Sequence, residues 1–184
     1  MRKYVAGIAI ALGAGLVSLA VGMQQDTSKR PSPPGRAEIT LSGKKVTVNY
    51  GRPSMRGRKI FGELVPFGQV WRTGANEATS FTTEADLNIG GARVPAGKYT
   101  LYTVPSEKGW KLILNKQTGQ WGTEYHPEKD LARVDMQKEL IEIPIEQFTI
   151  SFLPKGADGA TLRLDWEKTR AQVEVKVAKT AAPK

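Results

Sequence analysis

The sequence predicts an all-β fold: an antiparallel β-sandwich of about nine strands with one long ordered loop segment and little helix. Segments in which apolar and polar residues alternate recur along residues 37–177, a pattern typical of half-buried strands. Turns that contain glycine or proline separate these segments, and no long stretch has the apolar period of an amphipathic helix. An open barrel is the alternative that the same pattern allows.

The alternation places the strands in chain order. Trp110 and Trp166 fall on the apolar side of two of them, so we expect both indoles in the core. Residues 127–133 are the one segment expected to form a helical turn or two. The predicted strands span 37–41, 45–50, 79–84, 85–94 (with a Gly-Gly turn), 99–104, 110–115, 147–152, 160–166 and 172–177.

The chain has 184 residues, of which 40% are hydrophobic and 24% charged, a composition typical of one globular domain. We expect a single β-sandwich domain at 37–177. The segment 23–36 is polar and rich in proline, so it cannot bury enough apolar surface to offset chain entropy and is predicted to be a disordered linker. Residues 178–184 are predicted to be a disordered tail.

Residues 1–22 have the layout of a signal peptide, because two basic residues precede an apolar run that ends in small residues. Ser18, Ala20 and Gly22 offer two cleavage points. This predicts a periplasmic or secreted protein with no stable membrane anchor once the leader is removed. A retained anchor is the alternative, since about 20 apolar residues can span a bilayer. The sequence has no cysteine, which excludes disulfides and attachment through a lipidated cysteine.

The formal net charge is +9, and the leader contributes +2 of it, so a mature chain would carry about +7. Basic residues are concentrated in 51–72 and 168–184. Such a protein can adhere to anionic lipid or polysaccharide, although a solvated basic surface explains the charge equally well. A nucleic-acid partner is not expected, because export opposes it and no recognition motif of the usual modules is present.

Residues 51–77 break the alternation. Five glycines and two prolines in residues 51–76 prevent a long regular element. The segment nevertheless contains seven large apolar residues, so we expect an ordered loop packed against the sandwich, with a short helical turn near 60–64. The apolar residues expected to be buried are Ile60, Phe61, Leu64, Val65, Phe67, Val70 and Trp71.

This loop is also the predicted ligand-binding site. Arginine side chains beside glycines can form a pocket for a carboxylate, sulfate or phosphate group, and a loop tryptophan can wall that pocket. The alternative is that the arginines only hold the loop in place through backbone carbonyls and nearby acids. The predicted ligand-binding residues are Arg52, Arg56, Arg58, Arg72, Trp71, Asn76 and Glu77.

Several motifs occur in a fixed order along the domain. They are Tyr50-Gly-Arg-Pro-Ser54, Gly57-Arg-Lys-Ile-Phe-Gly62, Leu64-Val-Pro66, Val70-Trp-Arg-Thr-Gly-Ala-Asn-Glu-Ala-Thr79, Pro95-Ala-Gly-Lys-Tyr-Thr-Leu101, Gln120-Trp-Gly122 and Leu164-Asp-Trp-Glu167. Together they resemble the signature of a bacterial exported family known as domain of unknown function 2911 (DUF2911). The resemblance covers 37–177 and implies membership and export. It implies no reaction and no catalytic residue.

No set of residues predicts catalysis or a cofactor. His126, the single histidine, lies in a loop, and no serine occupies a Gly-x-Ser-x-Gly elbow. The carboxylate pairs Glu124 with Glu128 and Asp130 with Glu139 are expected to be solvated charges. One histidine and no cysteine cannot supply a metal centre with several nitrogen or sulfur ligands.

Three function classes remain. The leading hypothesis is a non-enzymatic exported β-sandwich that binds an anionic or carbohydrate-like envelope ligand at the 51–77 loop. The second is a hydrolase that uses carboxylates such as Glu77, with His126 as a further candidate. The third is a structural or assembly module of the envelope that pairs through an exposed strand edge.

Overall fold

The computed structural model describes residues 29–179 and confirms the all-β prediction. A 3₁₀ helix spans Pro127–Lys129. Nine strands lie within the described residues: β1 Pro34–Leu41, β2 Lys44–Gly51, β3 Thr79–Thr83, β4 Leu87–Ile89, β5 Ala92–Val94, β6 Gly97–Val104, β7 Trp110–Asn115, β8 Asp130–Pro154 and β9 Gly159–Val177.

All nine strands belong to one antiparallel sheet in the order β1-β2-β3-β6-β7-β8-β9-β4-β5. The sheet is open, with β1 and β5 at its edges. Its first part ends where Asp130–Met136 of β8 pair with β7, and its second part is built on the pairing of Gln137–Pro154 with β9. The two parts pack against each other around one hydrophobic core, which makes the molecule a β-sandwich.

Tyr50 connects the two layers. Its hydroxyl accepts a hydrogen bond from the backbone N–H of Ile150 at 2.8 Å and donates one to the Ile150 carbonyl at 3.3 Å. Its ring meets Phe148 edge-on, with centroids 5.6 Å apart. The single hydroxyl therefore satisfies both polar groups of a buried backbone position on β8. Trp110 and Trp166 are 2% and 1% exposed, as predicted for core residues.

The long strands β8 and β9 differ from the predicted elements. The segments 160–166 and 172–177 were expected to be separate strands, but β9 runs through both, with Glu167 at a φ of 55° where the pairing with β8 shifts. The first half of β8 was not predicted as a strand at all. Val134 and Met136 do alternate there with polar residues, but the charged neighbours concealed the pattern.

Of two local predictions of helix, one is confirmed in part and the other was wrong. Only Pro127–Lys129 of the expected helical segment 127–133 is helical, because the residues from Asp130 onward pair with β7. Near 60–64 the chain forms tight turns, with the N–H groups of Glu63 and Val65 both donating to the Ile60 carbonyl, in place of a helical turn. From Asp130 onward, strand pairing with β7 outweighs the local helix propensity.

The domain boundaries also shift slightly. β1 begins at Pro34, inside the predicted linker, and an edge strand accepts proline as its first residue because no ladder hydrogen bond is lost there. The predicted leader, and residues 23–28 of the linker, lie outside the described residues, as do residues 180–184 of the tail. Between residues 29 and 179, no helix is long and apolar enough to cross a membrane.

Candidate functional site

The glycine-rich loop, residues 51–77, is ordered because three isolated β-bridges join it to the sandwich. Ser54 pairs with Gln147, Trp71 with Thr103, and Glu77 with Trp121. The first bridge lies where β8 leaves its register with β9, so the loop supplies backbone partners that β9 does not. There the Phe148 N–H donates to the Pro53 carbonyl at 2.9 Å, and the Met55 N–H donates to the Glu146 carbonyl at 2.8 Å.

The seven apolar residues of this loop divide into three groups, one of which, Phe67 and Trp71, is half-buried and packs against the core. Ile60, Phe61 and Val65 are buried in the main core, as the sequence predicts. Leu64 and Val70 are 45% and 38% exposed, so the expectation that both are buried was wrong. Both residues line a cavity described below.

Three of the four loop arginines use their guanidinium groups on the protein itself. Arg52 donates from Nε to the Phe148 carbonyl at 3.3 Å and from Nη2 to Thr149 Oγ1 at 3.1 Å. Arg56 donates to the Pro31 carbonyl at 3.2 Å. Arg58 donates to the Met55 and Ser54 carbonyls at 2.9 and 2.8 Å. For Arg52 and Arg56, these contacts agree with the alternative in which the arginines only hold the loop in place.

Arg72 differs from the other three. Its side chain makes no hydrogen bond or ion pair with any described residue. Its aliphatic part passes directly over Gly122, where a Cβ atom would come within 2.6 Å of Arg72 Cδ. Gly122 is held there because its N–H donates to the Asn76 carbonyl at 3.1 Å. The glycine thus leaves room for the arginine stem, and the charged end of Arg72 has no partner in the part of the chain that the structure describes.

Arg72 lines a cavity of about 670 Å³, which we call the arginine cavity. The cavity lies between the glycine-rich loop, β6, β9 and the 122–125 segment, and Arg58 and Trp71 also line it. The remaining lining residues are Ser32, Pro53, Leu64, Val65, Gln69, Val70, Gly74, Ala75, Tyr102, Gly122, Thr123, Tyr125 and Trp166.

Tyr102 and Tyr125 are cavity residues that the sequence did not identify as a site. Their rings meet edge-on, with centroids 4.9 Å apart. Tyr102 donates to the Glu124 carbonyl at 2.7 Å, and Tyr125 donates to Asp130 at 2.7 Å while accepting from Arg133 at 2.6 Å. Burial and the hydrogen bond to Asp130 raise the pKa of Tyr125 to about 12, so it is a neutral phenol at physiological pH.

Asn76 and Glu77 lie at a different place. They line a second cleft of about 580 Å³, the polar cleft, together with Arg36, Asn49 and other residues of the first strands. Asn76 donates to the Ser32 carbonyl at 3.0 Å. Glu77 forms an ion pair with Arg30 at 2.6 Å, and its hydrogen bond from Arg30 lowers the pKa of the Glu77 carboxyl.

The structure therefore divides the seven predicted ligand-binding residues. Arg58, Trp71 and Arg72 share the arginine cavity, Asn76 and Glu77 share the polar cleft, and Arg52 and Arg56 line neither. The sequence signal that could have added Gly122 was its place in the Gln120-Trp-Gly122 motif, but spacing alone does not show that it meets Arg72.

The histidine and the carboxylates that were considered for catalysis have simple surroundings. His126 is half-exposed and its Nδ1 lies 3.1 Å from Glu128. Asp130 is bound to Asn115, Tyr125 and Arg133 and does not pair with Glu139. Across residues 29–179, no group of three histidine, cysteine, aspartate or glutamate residues is arranged to hold a metal ion.

Comparison with known families matches residues 32–175 to a family described as "Protein of unknown function (DUF2911)". The matched range contains the glycine-rich loop and every residue that lines the arginine cavity. It confirms the family predicted from the motifs. Neither curated proteins nor solved structures gave a match.

Proposed function

The chain belongs to the DUF2911 family, proteins of unknown function, and we propose that it is a non-enzymatic exported protein that binds a small anionic or carbohydrate-like envelope ligand. The binding site in this proposal is the arginine cavity. Export rests on the leader-like residues 1–22, and its test is given in the Discussion.

The observation that carries the proposal is the contrast between Arg72 and its neighbours. Arg52, Arg56 and Arg58 each donate to protein oxygen atoms, whereas Arg72 has no protein partner among the described residues and lines the larger of the two clefts. A guanidinium group presents donors in a planar fork that matches a carboxylate or phosphate. An anionic group of a ligand would therefore complete the hydrogen bonding of Arg72.

Charge supports the same conclusion. Among the described residues that line the arginine cavity, two are arginines and none is acidic. The cavity is thus a positively charged concavity, which attracts anions and raises their local concentration. Its size falls within the range of roughly 300–1,000 Å³ that is typical of small-molecule sites.

The hydrolase alternative has less support. Glu77 is 59% exposed at the polar cleft, and its lowered pKa keeps it ionised at neutral pH, which does not suit a general acid. His126 does not line that cleft. If the protein is nonetheless a hydrolase that uses this carboxylate, Glu77→Gln abolishes its turnover.

The binding proposal is tested by replacing Arg72. We expect purified wild-type protein to bind at least one of glucuronate, octanoate and benzoate in an NMR titration. Arg72→Gln should weaken that binding at least tenfold, because a charge-assisted hydrogen bond contributes about 1.5–3 kcal/mol. The melting temperature should change little, since Arg72 has no hydrogen-bond or ion-pair partner among residues 29–179 to lose.

Arg56→Gln is the matched control, because it removes the same charge from the same loop but outside the cavity. It should leave binding intact. If wild type binds none of the three anions, or if both variants weaken binding equally, the arginine cavity is not an anion site and the proposal fails. If the protein binds no ligand, the remaining alternative is the structural or assembly module of the envelope, which pairs through an exposed strand edge.

A further inference from the structure

We infer that the ligand of the arginine cavity is an amphiphilic anion: a carboxylate or phosphate group held by Arg72, joined to an apolar chain that leaves past Leu64 and Val70. This inference rests on the proposed function and narrows it, because it favours an anion with an apolar body over a saccharide. Four features of the cavity support it.

The first feature is that the hydroxyl groups of both cavity tyrosines are already hydrogen-bonded to the protein. Both tyrosine hydroxyls in the cavity already donate to protein oxygens, Tyr102 to the Glu124 carbonyl and Tyr125 to Asp130. Both also accept a hydrogen bond, from Gln120 at 3.1 Å and from Arg133 at 2.6 Å. The tyrosines therefore present rings to a ligand, with hydroxyls that are already engaged.

The second feature is the packing of the indole rings against other aromatic side chains. Trp71 and Trp166 lie nearly parallel, with an interplanar angle of 17° and centroids 5.8 Å apart, so each has one face against the other. Phe61, Trp110 and Phe148 meet the Trp71 ring edge-on. The most exposed indole, Trp121 at 47%, does not line the cavity. The indoles form an apolar wall, whereas sugar recognition uses an open aromatic face.

The third feature is the aliphatic lining. Pro53, Leu64, Val65, Val70 and Ala75 all contribute to the wall. Aliphatic side chains offer no hydrogen bond to a ligand but gain free energy when an apolar chain covers them.

The fourth feature is the exposure of Leu64 and Val70 in a loop whose other large aliphatic residues, Ile60 and Val65, are buried. Both exposed side chains line the same cavity as Arg72. An apolar surface next to a cationic group is the complement of an amphiphile, with the head at Arg72 and the chain on Leu64 and Val70.

The test compares ligands that share a head group or a chain. Butyrate, hexanoate and octanoate are titrated into the ¹⁵N-labelled full chain by NMR, with octanamide and glucuronate alongside. We expect affinity to rise about fourfold for each added methylene group that becomes buried. Octanamide, which has the chain without the charge, and glucuronate, which has the charge without the chain, should each bind at least tenfold more weakly than octanoate.

Two variants separate the head from the chain. Arg72→Gln should weaken all three carboxylates by a similar factor of at least ten. The double variant Leu64→Ser with Val70→Ser should weaken octanoate about tenfold and leave butyrate unchanged. Leu153→Ser is the matched control, because Leu153 is 41% exposed but does not line the cavity, and it should change neither affinity.

The outcomes distinguish this inference from the proposed function. If glucuronate binds more tightly than octanoate, or if affinity does not depend on chain length, the amphiphile inference is overturned while the anion site stands. If none of the carboxylates binds, both fail. If the protein binds phosphatidylglycerol vesicles but not octanoate, attraction is to the bilayer surface, and the cavity inference is wrong.

Discussion

Arg52 and Arg72 belong to the same loop, and their different surroundings show how one residue type serves two purposes. Arg52 is half-buried and joins the loop to β8 through Phe148 and Thr149. Arg72 extends over Gly122 into the arginine cavity. The difference depends on tertiary neighbours, so the sequence could name both arginines as candidates but could not rank them.

For single residues, we predict that Arg52→Ala destabilises the domain. The substitution removes two hydrogen bonds donated by a charged group and leaves the partly buried Phe148 carbonyl without this partner. We expect the free energy of unfolding to fall by about 1–3 kcal/mol, measured by urea denaturation. Arg56→Ala is the control, because its exposed guanidinium makes one bond to the Pro31 carbonyl, and it should cost less than about 1 kcal/mol. Equal effects would show that Arg52 does not fix the loop.

The elements of the fold were largely predictable where the pattern is local. Hairpin β1–β2, strands β6 and β7, and the apolar faces of β8 and β9 follow from alternation of residues such as Val46, Val48, Leu162 and Leu164, all of which are buried. The first half of β8 was missed, and β9 was divided, because long bent strands contain polar stretches at the positions where they change layer. Local sequence does not encode which layer a strand will join.

The glycine-rich loop depends on a close contact between backbones, and this contact yields an element-scale prediction. A Cβ atom at Gly51 would lie 2.1 Å from the Ala75 carbonyl oxygen, so only glycine lets the end of β2 pass the return of the loop. We expect Gly51→Ala to lower the free energy of unfolding by about 1–3 kcal/mol, because a backbone atom must move.

Thermal and urea unfolding measure this effect. Gly109→Ala provides the comparison, because a Cβ atom at Gly109 meets only the Met136 carbonyl oxygen, at an ordinary 3.6 Å, and its stability should stay near that of wild type. A Gly51→Ala protein as stable as Gly109→Ala would mean that the loop moves away without cost, and the loop would then be too loosely held to orient Arg72.

Across the whole molecule, the arginine cavity is assembled from segments that are far apart in the chain. Arg72 comes from the loop, Tyr102 from β6, Tyr125 from the segment before β8, and Trp166 from β9. The sequence could locate the loop as the functional candidate because its composition opposes regular structure while its apolar residues require packing. It could not place the two tyrosines in the cavity, because that depends on the order of strands in the sheet.

Export is the prediction that concerns the whole chain. The cleavage points suggested by Ser18, Ala20 and Gly22 all precede residue 29, so a processed protein retains the segment 30–33. That segment is bound to the glycine-rich loop, with the Arg52 N–H donating to the Pro33 carbonyl at 2.9 Å. Processing at these points therefore keeps every contact made among residues 29–179, and we expect a soluble protein that lacks about 20 residues, as for a cleaved signal peptide.

Intact-mass measurement after cell fractionation checks this directly. The mature protein should start within a few residues of Gly22 and should be recovered outside the cytoplasm without detergent. Placing bulky residues at the cleavage points, in an Ala20→Trp and Gly22→Trp variant, should block processing and leave the full-length chain in the membrane fraction, because the peptidase requires small residues there. Recovery of the unaltered protein at full length in membranes would favour the retained anchor, and a full-length soluble protein in the cytoplasm would remove export, and with it an envelope ligand, from the proposed function.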